Sequence, residues 1–491
     1  MKRSVIIFAA IAIVFSCLTC RNHIGKLPDV RKGQYWKDQV LADILPYWTE
    51  HARDTINGGF FTTLDSVWKP FGDSRKYPSM LSRHIFGYSV GYLLSGDRKY
   101  LDIARQTVDY LLAHAWDTEY GGWFDVLDEK GNPLQKTKSM FIQVYSITGL
   151  AMYYFVTRDP RVLDFIDQSN RLLESKAWDQ VRGGYFNVMT RDWQVLDSNK
   201  SISSEITPVS GYLLYLYLAT HDGKYLDQCR RILDRVTGNM IDPESGWVLE
   251  TFTREWQYLP GRQDETEVSI GHNIEVAWML YRYSLITGRS EYLDQARRLT
   301  DRIYQYGNKP DLNFWYNTVA RLNPEKSAGL TYWWVQAYGI LFDLYSFHAL
   351  NENGYLIDYQ KGASFWDSCF VDRIHGDTHF SVLVNGTVKE TMKANQFKSS
   401  YHTAENGLLN YLYLNAWVNH EPVELYFDVA DYQADKEFYA NPIEGNDLKI
   451  KGITVLKDEQ AVPRAGLKYT RIRVVLAGAQ TNNKQQKTNH K

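Results

Sequence analysis

The sequence has few cysteines and almost no net charge. Its 491 residues include four Cys and carry a formal net charge of −2. Such a chain lacks the basic face that releases counterions from a nucleic acid, so nucleic-acid binding is not an expected function. The cysteines and histidines show no spacing typical of a zinc site. Cys229 and Cys369 are interpreted as core thiols, although the sequence alone leaves a disulfide open.

The apolar run at the N-terminus is too short to span a membrane. It covers residues 4–15, follows two basic residues, and ends in small residues and cysteine, a pattern that predicts an export signal. Residues 14–17 resemble a bacterial lipoprotein signal, with cleavage before Cys17 and a lipid on its sulfur. Cys20 is the second candidate, and an ordinary cleaved secretory signal is the alternative. We therefore expect a signal segment over residues 1–20. The protein would be exported and anchored to a membrane only by its lipid, facing the periplasm or the cell exterior.

Aromatic residues, in contrast, are abundant, with 15 Trp and 35 Tyr. Indole and phenol rings pack between helices. They also stack on the apolar faces of sugar rings while their N–H and O–H groups reach hydroxyls. Most of these rings are therefore expected to fill helix interfaces, and the composition is also compatible with sugar binding.

A glycine–aromatic signature recurs along the chain at intervals of about 62 residues. A short alternating stretch and a long amphipathic segment follow each copy, and a unit of this length fits two helices with their connections. The copies are Asn57-Gly58-Gly59-Phe60, Tyr120-Gly121-Gly122-Trp123, Arg182-Gly183-Gly184-Tyr185 and Glu244-Ser245-Gly246-Trp247.

Repeats of this kind must pack against one another. One helical hairpin cannot bury its own apolar face, so the units stack or close into a ring. Residues 33–420 have room for six units, and the sequence predicts an all-α fold, an (α/α)6 barrel with short hairpins at one end of a central cavity. An open α-solenoid is the alternative, but capping repeats are not evident. Alternating stretches in residues 421–478 predict a small β-rich appendage, and residues 479–491 predict a disordered tail.

Two histidines stand at apparent loop-to-helix junctions. His272 and Glu275 lie three residues apart at the first turn of a helix and share one face. Glu275 is expected to hold the imidazole in one tautomer and to raise its basicity. His402 follows Tyr401 at a second junction of this type.

An arginine and two adjacent tryptophans are further candidates. Arg83 opens a largely apolar helix, where a guanidinium is costly unless paired and suits a sugar hydroxyl or an oxyanion. The side chains of Trp333 and Trp334 point about 100° apart on a helix, so at most one of them faces the cavity squarely.

Together these stretches resemble the N-acylglucosamine 2-epimerase superfamily, which includes cellobiose and mannobiose 2-epimerases and mannose isomerases. The similarity covers nearly all of residues 35–418 and implies the (α/α)6 barrel, with a catalytic domain over residues 33–420. The matching stretches, in the order of the family, are Ser82-Arg83, Gly271-His272-Asn273-Ile274-Glu275 with Trp278, Trp333-Trp334-Val335-Gln336-Ala337, and Tyr401-His402.

The resemblance implies an isomerase that moves a proton at the carbon next to a sugar's carbonyl group. His272 and His402 would lie on either side of C2 of the ring-opened sugar. One abstracts the proton, an enediolate forms, and the other returns a proton to C2 (epimerisation) or to C1 (isomerisation). Glu275 would orient His272, and the implied substrate-binding residues are Arg83, Trp333, Trp334, Tyr338 and Tyr401. The implied partner is a sugar or oligosaccharide, and neither a metal nor another cofactor is needed.

Two departures from the family's pattern affect the polar groups expected around the sugar. Members active on disaccharides or mannose carry an Asn-Thr-His-x-His stretch after a Lys-Ser pair, whereas residues 200–207 contain neither histidine. Tyr338 stands where many members have a glutamate. These departures bear on the substrate and leave the two proton-transfer histidines in place.

Two other classes of function stay open. An (α/α)6 glycoside hydrolase would need two carboxylates across a cleft, with Glu275 as one candidate and Glu205, Asp264 or Glu267 as the other. A polysaccharide lyase could instead use the two histidines and Arg83. A glycan-binding lipoprotein without catalytic activity is the third class.

Overall fold

The computed structural model describes residues 28–260, 267–325, 327, 329–445, 447–456 and 466–478. The predicted signal segment, with Cys17 and Cys20, and the predicted tail at 479–491 lie outside the described residues, as does Asp264. Cys229 and Cys369 do not form a disulfide.

In the described part of the chain, twelve helices between residues 33 and 419 alternate between two concentric layers. We number them in chain order, so that even numbers denote the inner layer and odd numbers the outer layer. The inner helices are α2 (Pro78–Ser95), α4 (Met140–Thr157), α6 (202–220), α8 (Ile270–Thr287), α10 (Trp333–Leu350) and α12 (401–419). The outer helices are α1 (33–51), α3 (Arg98–His114), α5 (160–177), α7 (223–240), α9 (Ser290–Tyr306) and α11 (354–370).

Several of these helices contain a π-helical stretch. The stretches are Gln39–Ile44 in α1, Leu173–Ala177 in α5, Val209–Leu213 in α6, Val236–Met240 in α7, Trp366–Phe370 in α11 and Leu414–Asn419 in α12.

The pattern of apolar residues decides which layer a helix joins. Helix α2 is apolar or small on every side and is buried along its whole length except Ser95. Helix α3 buries one stripe, which includes Leu101, Ala104, Val108 and Leu111, and turns its charged face outward. A helix that is apolar all round needs neighbours on every side, whereas an amphipathic helix needs them on one side only.

The inner helices form a closed ring. Each one packs against the next from α2 to α12, α12 packs against α2, and α1 covers α12 from outside. Helices α2 and α4 approach closely, and the backbone N–H of Gly149 donates to Ser82 Oγ at 2.8 Å. The predicted (α/α)6 barrel is confirmed, and the open solenoid is excluded because the first and last units are in contact.

Short hairpins connect each outer helix to the next inner helix. Strands β3, β6, β8 and β12 lead directly into inner helices and pair with β4, β7, β11 and β13 of the following unit. Isolated bridges join Lys76 to Leu127, and Leu64 to Ala394, so the ring also closes among the hairpins. The strands are β1 (Val126–Leu127), β2 (Pro133–Gln135), β3 (Lys138–Ser139), β4 (Val188–Met189), β5 (Val195–Asp197), β6 (Lys200–Ser201), β7 (Thr251–Phe252), β8 (Glu267–Ser269), β9 (Asn308–Lys309), β10 (Phe314–Trp315), β11 (Thr318–Ala320), β12 (Leu330–Tyr332), β13 (Ser381–Leu383) and β14 (Val388–Glu390).

The turn formed by the glycine–aromatic signature has the same backbone geometry in all six units. Its first position is left-handed in every copy, and the residues there are Gly58, Gly121, Gly183, Gly246, Asn313 and Gly376. Gly246 therefore corresponds to the first glycine of the other copies and not to the second, as its backbone N–H bonds Asp242 in the way that Gly121 bonds Asp117. Asparagine tolerates the left-handed conformation better than most residues, which explains its presence in the fifth copy.

Buried ion pairs stabilise the hairpins. Asp54, Asp117, Asp179 and Asp372 each accept from a lysine that follows 21 or 22 residues later, at 2.6, 3.2, 3.5 and 2.7 Å respectively. The lysines are almost fully buried, so each ammonium depends on its carboxylate. Arginines of the following unit also reach back to some of these carboxylates, as Arg191 does to Asp117 at 2.8 Å. The ion pairs therefore link units around the ring.

A three-stranded antiparallel sheet follows the barrel, with strand order β15-β17-β16. The strands are β15 (Val423–Ala430), β16 (Lys449–Val455) and β17 (Tyr469–Ala477). Alternate residues of β15 and β17 are buried, whereas β16 is exposed throughout. Among the described residues one helix, α4, has the length and hydropathy of a membrane span, and 89% of it is buried inside the protein.

Candidate active site

The first turns of the inner helices converge at the hairpin end of the barrel. Arg83 lies in α2, His272 in α8, Trp333, Trp334 and Tyr338 in α10, and Tyr401 and His402 in α12. Ring contacts join most of them: Trp334 lies 5.5 Å from His272 and 6.2 Å from His402 between ring centroids. The structure thus brings the two predicted histidines to the same indole.

A carboxylate holds His272. Both oxygens of Glu250 lie 2.9 Å from His272 Nδ1. The two side chains are about one quarter exposed, 24% for His272 and 22% for Glu250. Burial opposes the charged imidazole, but the charge and hydrogen bond of Glu250 outweigh it and raise the pKa of His272 to about 9. His272 is therefore an imidazolium at neutral pH.

Glu275 does not orient His272 as expected from the sequence. Its Oε1 accepts from Ser210 Oγ of helix α6 at 2.6 Å, and the ring of His272 turns toward the hairpin instead. Burial raises the pKa of the Glu275 carboxyl, against the opposing charge of His272. Glu275 therefore acts on His272 through space, while Glu250 supplies the hydrogen bond.

His402 has the opposite environment. Its side chain is buried, and its Nδ1 has no hydrogen-bond partner in the described part of the chain. Burial, and to a lesser degree the charge of Arg83, holds the pKa of His402 well below its usual value. The ring of Tyr338 lies 5.3 Å from it and that of Trp333 lies 6.0 Å from it. His402 is therefore a neutral imidazole next to a cationic one.

The two adjacent tryptophans divide as the helix geometry predicts. Trp334 is partly exposed and contacts both histidines, whereas Trp333 is 2% exposed and packs on Phe380 at 4.7 Å. Tyr338, one turn after Trp334, stands edge-on to it at 5.8 Å. Trp334 is therefore the indole that is available to a sugar.

Arg83 is a buried cation whose charge acts on His402. Its guanidinium lies 3.7 Å from the ring centroid of Tyr145, and its Nη1 donates to the carbonyl of Phe397 at 3.3 Å. Nε has no partner among the described residues. A guanidinium that is stacked but only partly hydrogen-bonded retains donors for a substrate oxygen.

Glu405 is a further carboxyl group of the site, and it was not among the candidates from the sequence. Glu405 is 1% exposed and accepts from the hydroxyls of Tyr215, Tyr338 and Tyr401 at 3.0, 3.3 and 3.3 Å. Burial raises its pKa to about 7. Its place three residues after His402, and four after Tyr401, was the available signal because such residues share a helix face. Glu250 gave no comparable signal, since it lies just before β7 and far from His272 in sequence.

The substituted stretch at residues 200–207 has mainly a structural role. Glu205 Oε1 accepts from the backbone N–H of Tyr185 at 2.6 Å, where Gln143, Asn273 and Gln336 make the equivalent bond in other units. Glu267 is exposed and accepts from Thr318 at 3.0 Å. Within the described residues, no cluster of His, Cys, Asp and Glu could hold a metal ion.

Known protein sequences match most of the barrel. The sequence profile of N-acylglucosamine 2-epimerase (GlcNAc 2-epimerase) matches residues 59–405. Cellobiose 2-epimerase from Bacteroides fragilis is 25% identical over 386 residues, which cover 75% of this chain and 96% of that protein. D-mannose isomerase from Marinomonas mediterranea is 22% identical, and the match covers 70% of this chain and 89% of that protein.

A solved structure agrees with these sequence matches. The structure of cellobiose 2-epimerase from Bacillus thermoamylovorans superposes with a TM-score of 0.70 at 20% identity, over 77% of this chain and 98% of that one. The similarity supports the barrel assignment. Because the family profile spans most of the barrel, including Arg83, His272 and the double tryptophan, the chain belongs to the N-acylglucosamine 2-epimerase family.

Proposed function

We propose that this protein is a sugar 2-epimerase or aldose–ketose isomerase that acts on the open-chain reducing end of a mono- or oligosaccharide. The observation that carries the proposal is the pair of imidazoles against Trp334, one cationic and one neutral. Proton transfer at C2 needs one group that accepts a proton and one that donates it. His402 and His272 are in those two states at neutral pH.

The proposed reaction begins at His402. Its neutral ring takes the proton from C2, the electrons of the C–H bond form the C1–C2 double bond, and the carbonyl oxygen becomes the enediolate oxygen. Arg83 stabilises that negative charge. The imidazolium of His272 then delivers a proton to the opposite face of C2, which restores the C1 carbonyl (epimerisation), or to C1. In the second case the proton of the C2 hydroxyl passes to O1, so that the carbonyl group forms at C2 (isomerisation). In both cases the histidines exchange charge states. Glu250 keeps the imidazolium charged until that step.

The substrate is proposed to be a neutral sugar. Relatives are named for cellobiose and for mannose. Trp334 offers a partly exposed indole face for a sugar ring, which is the contact that such rings favour. Tyr338 replaces a charged residue by a hydroxyl that already donates to Glu405, so the sugar hydroxyls near it would meet a neutral partner.

The decisive experiment is incubation of the protein with mannose, glucose, cellobiose or mannobiose in D2O. Deuterium at C2 without chain cleavage supports proton transfer. Shortened or unsaturated products would indicate a hydrolase or lyase, and binding without turnover a glycan-binding protein. We expect His272→Ala and His402→Ala to lose about 10²- to 10⁴-fold in rate. His420→Ala is the control, because His420 is exposed at the end of α12. Near-normal deuterium exchange in either active-site variant would contradict the assignment.

The cellular location is a separate proposal. The N-terminal pattern supports an exported lipoprotein attached through Cys17, with Cys20 as the alternative. Metabolic labelling with a fatty acid, followed by detergent phase partition, tests it in Cys17→Ala and Cys20→Ala variants. Labelling that survives in both variants would contradict it.

A further inference from the structure

The described residues of the C-terminal segment, 421–445, 447–456 and 466–478, cover the end of the barrel opposite the candidate active site. Its side chains and backbone contact the C-terminal ends of the inner helices. Tyr92 of α2 donates to the carbonyl of Phe427 at 3.3 Å, and Arg158 after α4 donates to the carbonyl of Tyr439. Tyr439 also stacks on His221, at the end of α6, at 3.8 Å.

One residue of this segment enters the barrel. Glu444 is 1% exposed, and its carboxylate binds Arg282 of α8, Tyr345 of α10 and Tyr413 of α12. A buried guanidinium requires a compensating anion, and Glu444 is the carboxylate that the structure places against Arg282. The contact therefore ties the segment to three inner helices at once.

A chain of contacts leads from Arg282 to the active site. Its guanidinium lies 5.5 Å from the ring of Tyr215 and 5.6 Å from that of Trp278. Tyr215 donates to Glu405, and Glu405 accepts from Tyr338 and Tyr401 as well. Both of these tyrosines pack on His402, with ring centroids at 5.3 and 4.6 Å.

The charges along this chain are coupled. Burial raises the pKa of Glu405, while the hydroxyl of Tyr215 and the charge of Arg282 lower it and the charge of Glu275 raises it. The positive charge of Arg282 acts on the carboxyl groups of both Glu444 and Glu405. Loss of the Glu444 charge would therefore leave the positive charge of Arg282 uncompensated and would favour the ionised form of Glu405, because charges in a buried site are weakly screened by solvent.

We propose that Glu444 is a positioning residue of the active site. Through Arg282 and Glu405 it holds Tyr338 and Tyr401 beside His402, and the C-terminal segment thereby forms part of the catalytic unit. The role of these residues in turnover rests on the proposed function. The coupling between Glu444 and Glu405 does not.

The coupling is tested by infrared titration of the full-length protein. The band of the protonated Glu405 carboxyl is identified by its loss in Glu405→Gln. In Glu444→Gln we expect the midpoint of this band to move to lower pH by about one pH unit or more, because the cation Arg282 then favours the ionised form. Glu437→Gln changes an exposed residue of the same segment and should leave the midpoint where it is. An unchanged midpoint in Glu444→Gln would overturn the proposal.

If Glu444→Gln does not fold, a second variant tests the same coupling. The double replacement Arg282→Met with Glu444→Met removes both charges, and buried ion pairs often tolerate apolar replacement. The midpoint of Glu405 should then move to higher pH, the opposite direction. A midpoint that stays in place or moves to lower pH would contradict the coupling.

Turnover provides the functional readout. We expect Glu444→Gln to lower kcat/KM about tenfold and to displace its pH profile in the same direction as the Glu405 midpoint, with Glu444→Asp restoring most of both. Glu437→Gln should match the wild type. A shifted infrared midpoint with an unchanged pH profile would overturn the positioning role. If the wild type shows no turnover on any sugar, the proposed function fails while the infrared result still decides the coupling.

Discussion

Glu250 and His272 meet through both carboxylate oxygens, each 2.9 Å from Nδ1 of the imidazole. Glu250 belongs to the hairpin before helix α8, and His272 belongs to the first turn of that helix. The pair therefore joins a loop to the barrel wall. It also decides which nitrogen keeps its proton once the imidazolium has given one away, because Nδ1 must carry the proton that Glu250 accepts.

The pair of Glu250 and His272 should set the pH at which activity declines on the alkaline side. With a pKa of about 9, His272 remains protonated below that value, so wild-type activity should decline as pH rises through about 9. In Glu250→Gln, burial still disfavours the cation while the anion is gone, so the decline should begin at lower pH. At neutral pH we expect kcat to fall about 10²-fold.

The measurement is kcat/KM against pH for the wild type, Glu250→Gln and Glu255→Gln. Glu255 is an exposed acid of the same hairpin and serves as the matched control. An alkaline limb at the same pH in wild type and Glu250→Gln would rule out Glu250 as the partner that sets the charge of His272.

The second prediction separates the two adjacent tryptophans. Trp334→Ala should lower kcat/KM by about tenfold or more with little change in stability, because this partly exposed indole contacts both histidines. Trp333→Ala should instead lose about 3–5 kcal/mol of unfolding free energy, because its side chain is buried on Phe380. Steady-state kinetics and urea denaturation of both variants provide the comparison. Equal losses of stability would refute the distinction.

The third prediction concerns a repeated ion pair. Asp117→Asn should destabilise the protein by about 3–5 kcal/mol, because it leaves the ammonium of Lys138 buried without its anion. Asp164→Asn, on the exposed face of α5, should change stability by less than about 0.5 kcal/mol. Urea denaturation at neutral pH measures both.

The pH dependence of the same variant follows from the pKa of Asp117. Burial would raise this pKa, but Arg191 and Lys138 lower it to about 2. The folded value is below the unfolded value of about 4, so this stabilisation is complete above pH 4 and is lost as pH falls through about 2. The stability difference between wild type and Asp117→Asn should therefore narrow over that window. A difference that grows as the pH falls would contradict the assignment.

The fourth prediction tests the contact between α2 and α4. A Cβ added at Gly149 would lie 1.8 Å from the backbone oxygen of Ser82. Gly149→Ala should push the helices apart, lose about 1–3 kcal/mol or more, and lower activity because Arg83 follows Ser82. Gly223→Ala, at the exposed start of α7, meets no atom within 4 Å in the described structure and should be neutral or slightly stabilising. Calorimetry and kinetics on both variants check this.

The repeat made much of the architecture predictable from the sequence. A period of about 62 residues fixes a unit of two helices. The fifth and sixth copies of the turn escaped notice because Asn313 takes the left-handed position in one, and Asp377 follows Gly376 in the other. A search for a glycine directly before an aromatic residue cannot find a turn that only requires one residue with positive φ.

The candidate site was also partly predictable from the sequence. His272 and His402 were candidates because each stands at an apparent loop-to-helix junction, and the family resemblance added both Trp333 and Trp334. Residues three or four apart in a helix can also be placed on one face. The partner of His272 was assigned by the same rule to Glu275, and the side chain instead leans toward the preceding loop, where Glu250 lies. Helical spacing has no information about contacts between a helix and a distant hairpin. Glu444 is a further example, since its partner Arg282 is 162 residues away.

The contact of α12 with α1 and α2 has a consequence for how the chain folds. The last inner helix to be synthesised is the neighbour of the first two helices, so the ring has no free end from which to fray. Until α12 is in place, the apolar flanks of α2 and α10 have no cover. We expect the barrel to unfold as one cooperative block, unlike a row of repeats, in which each unit depends only on the next.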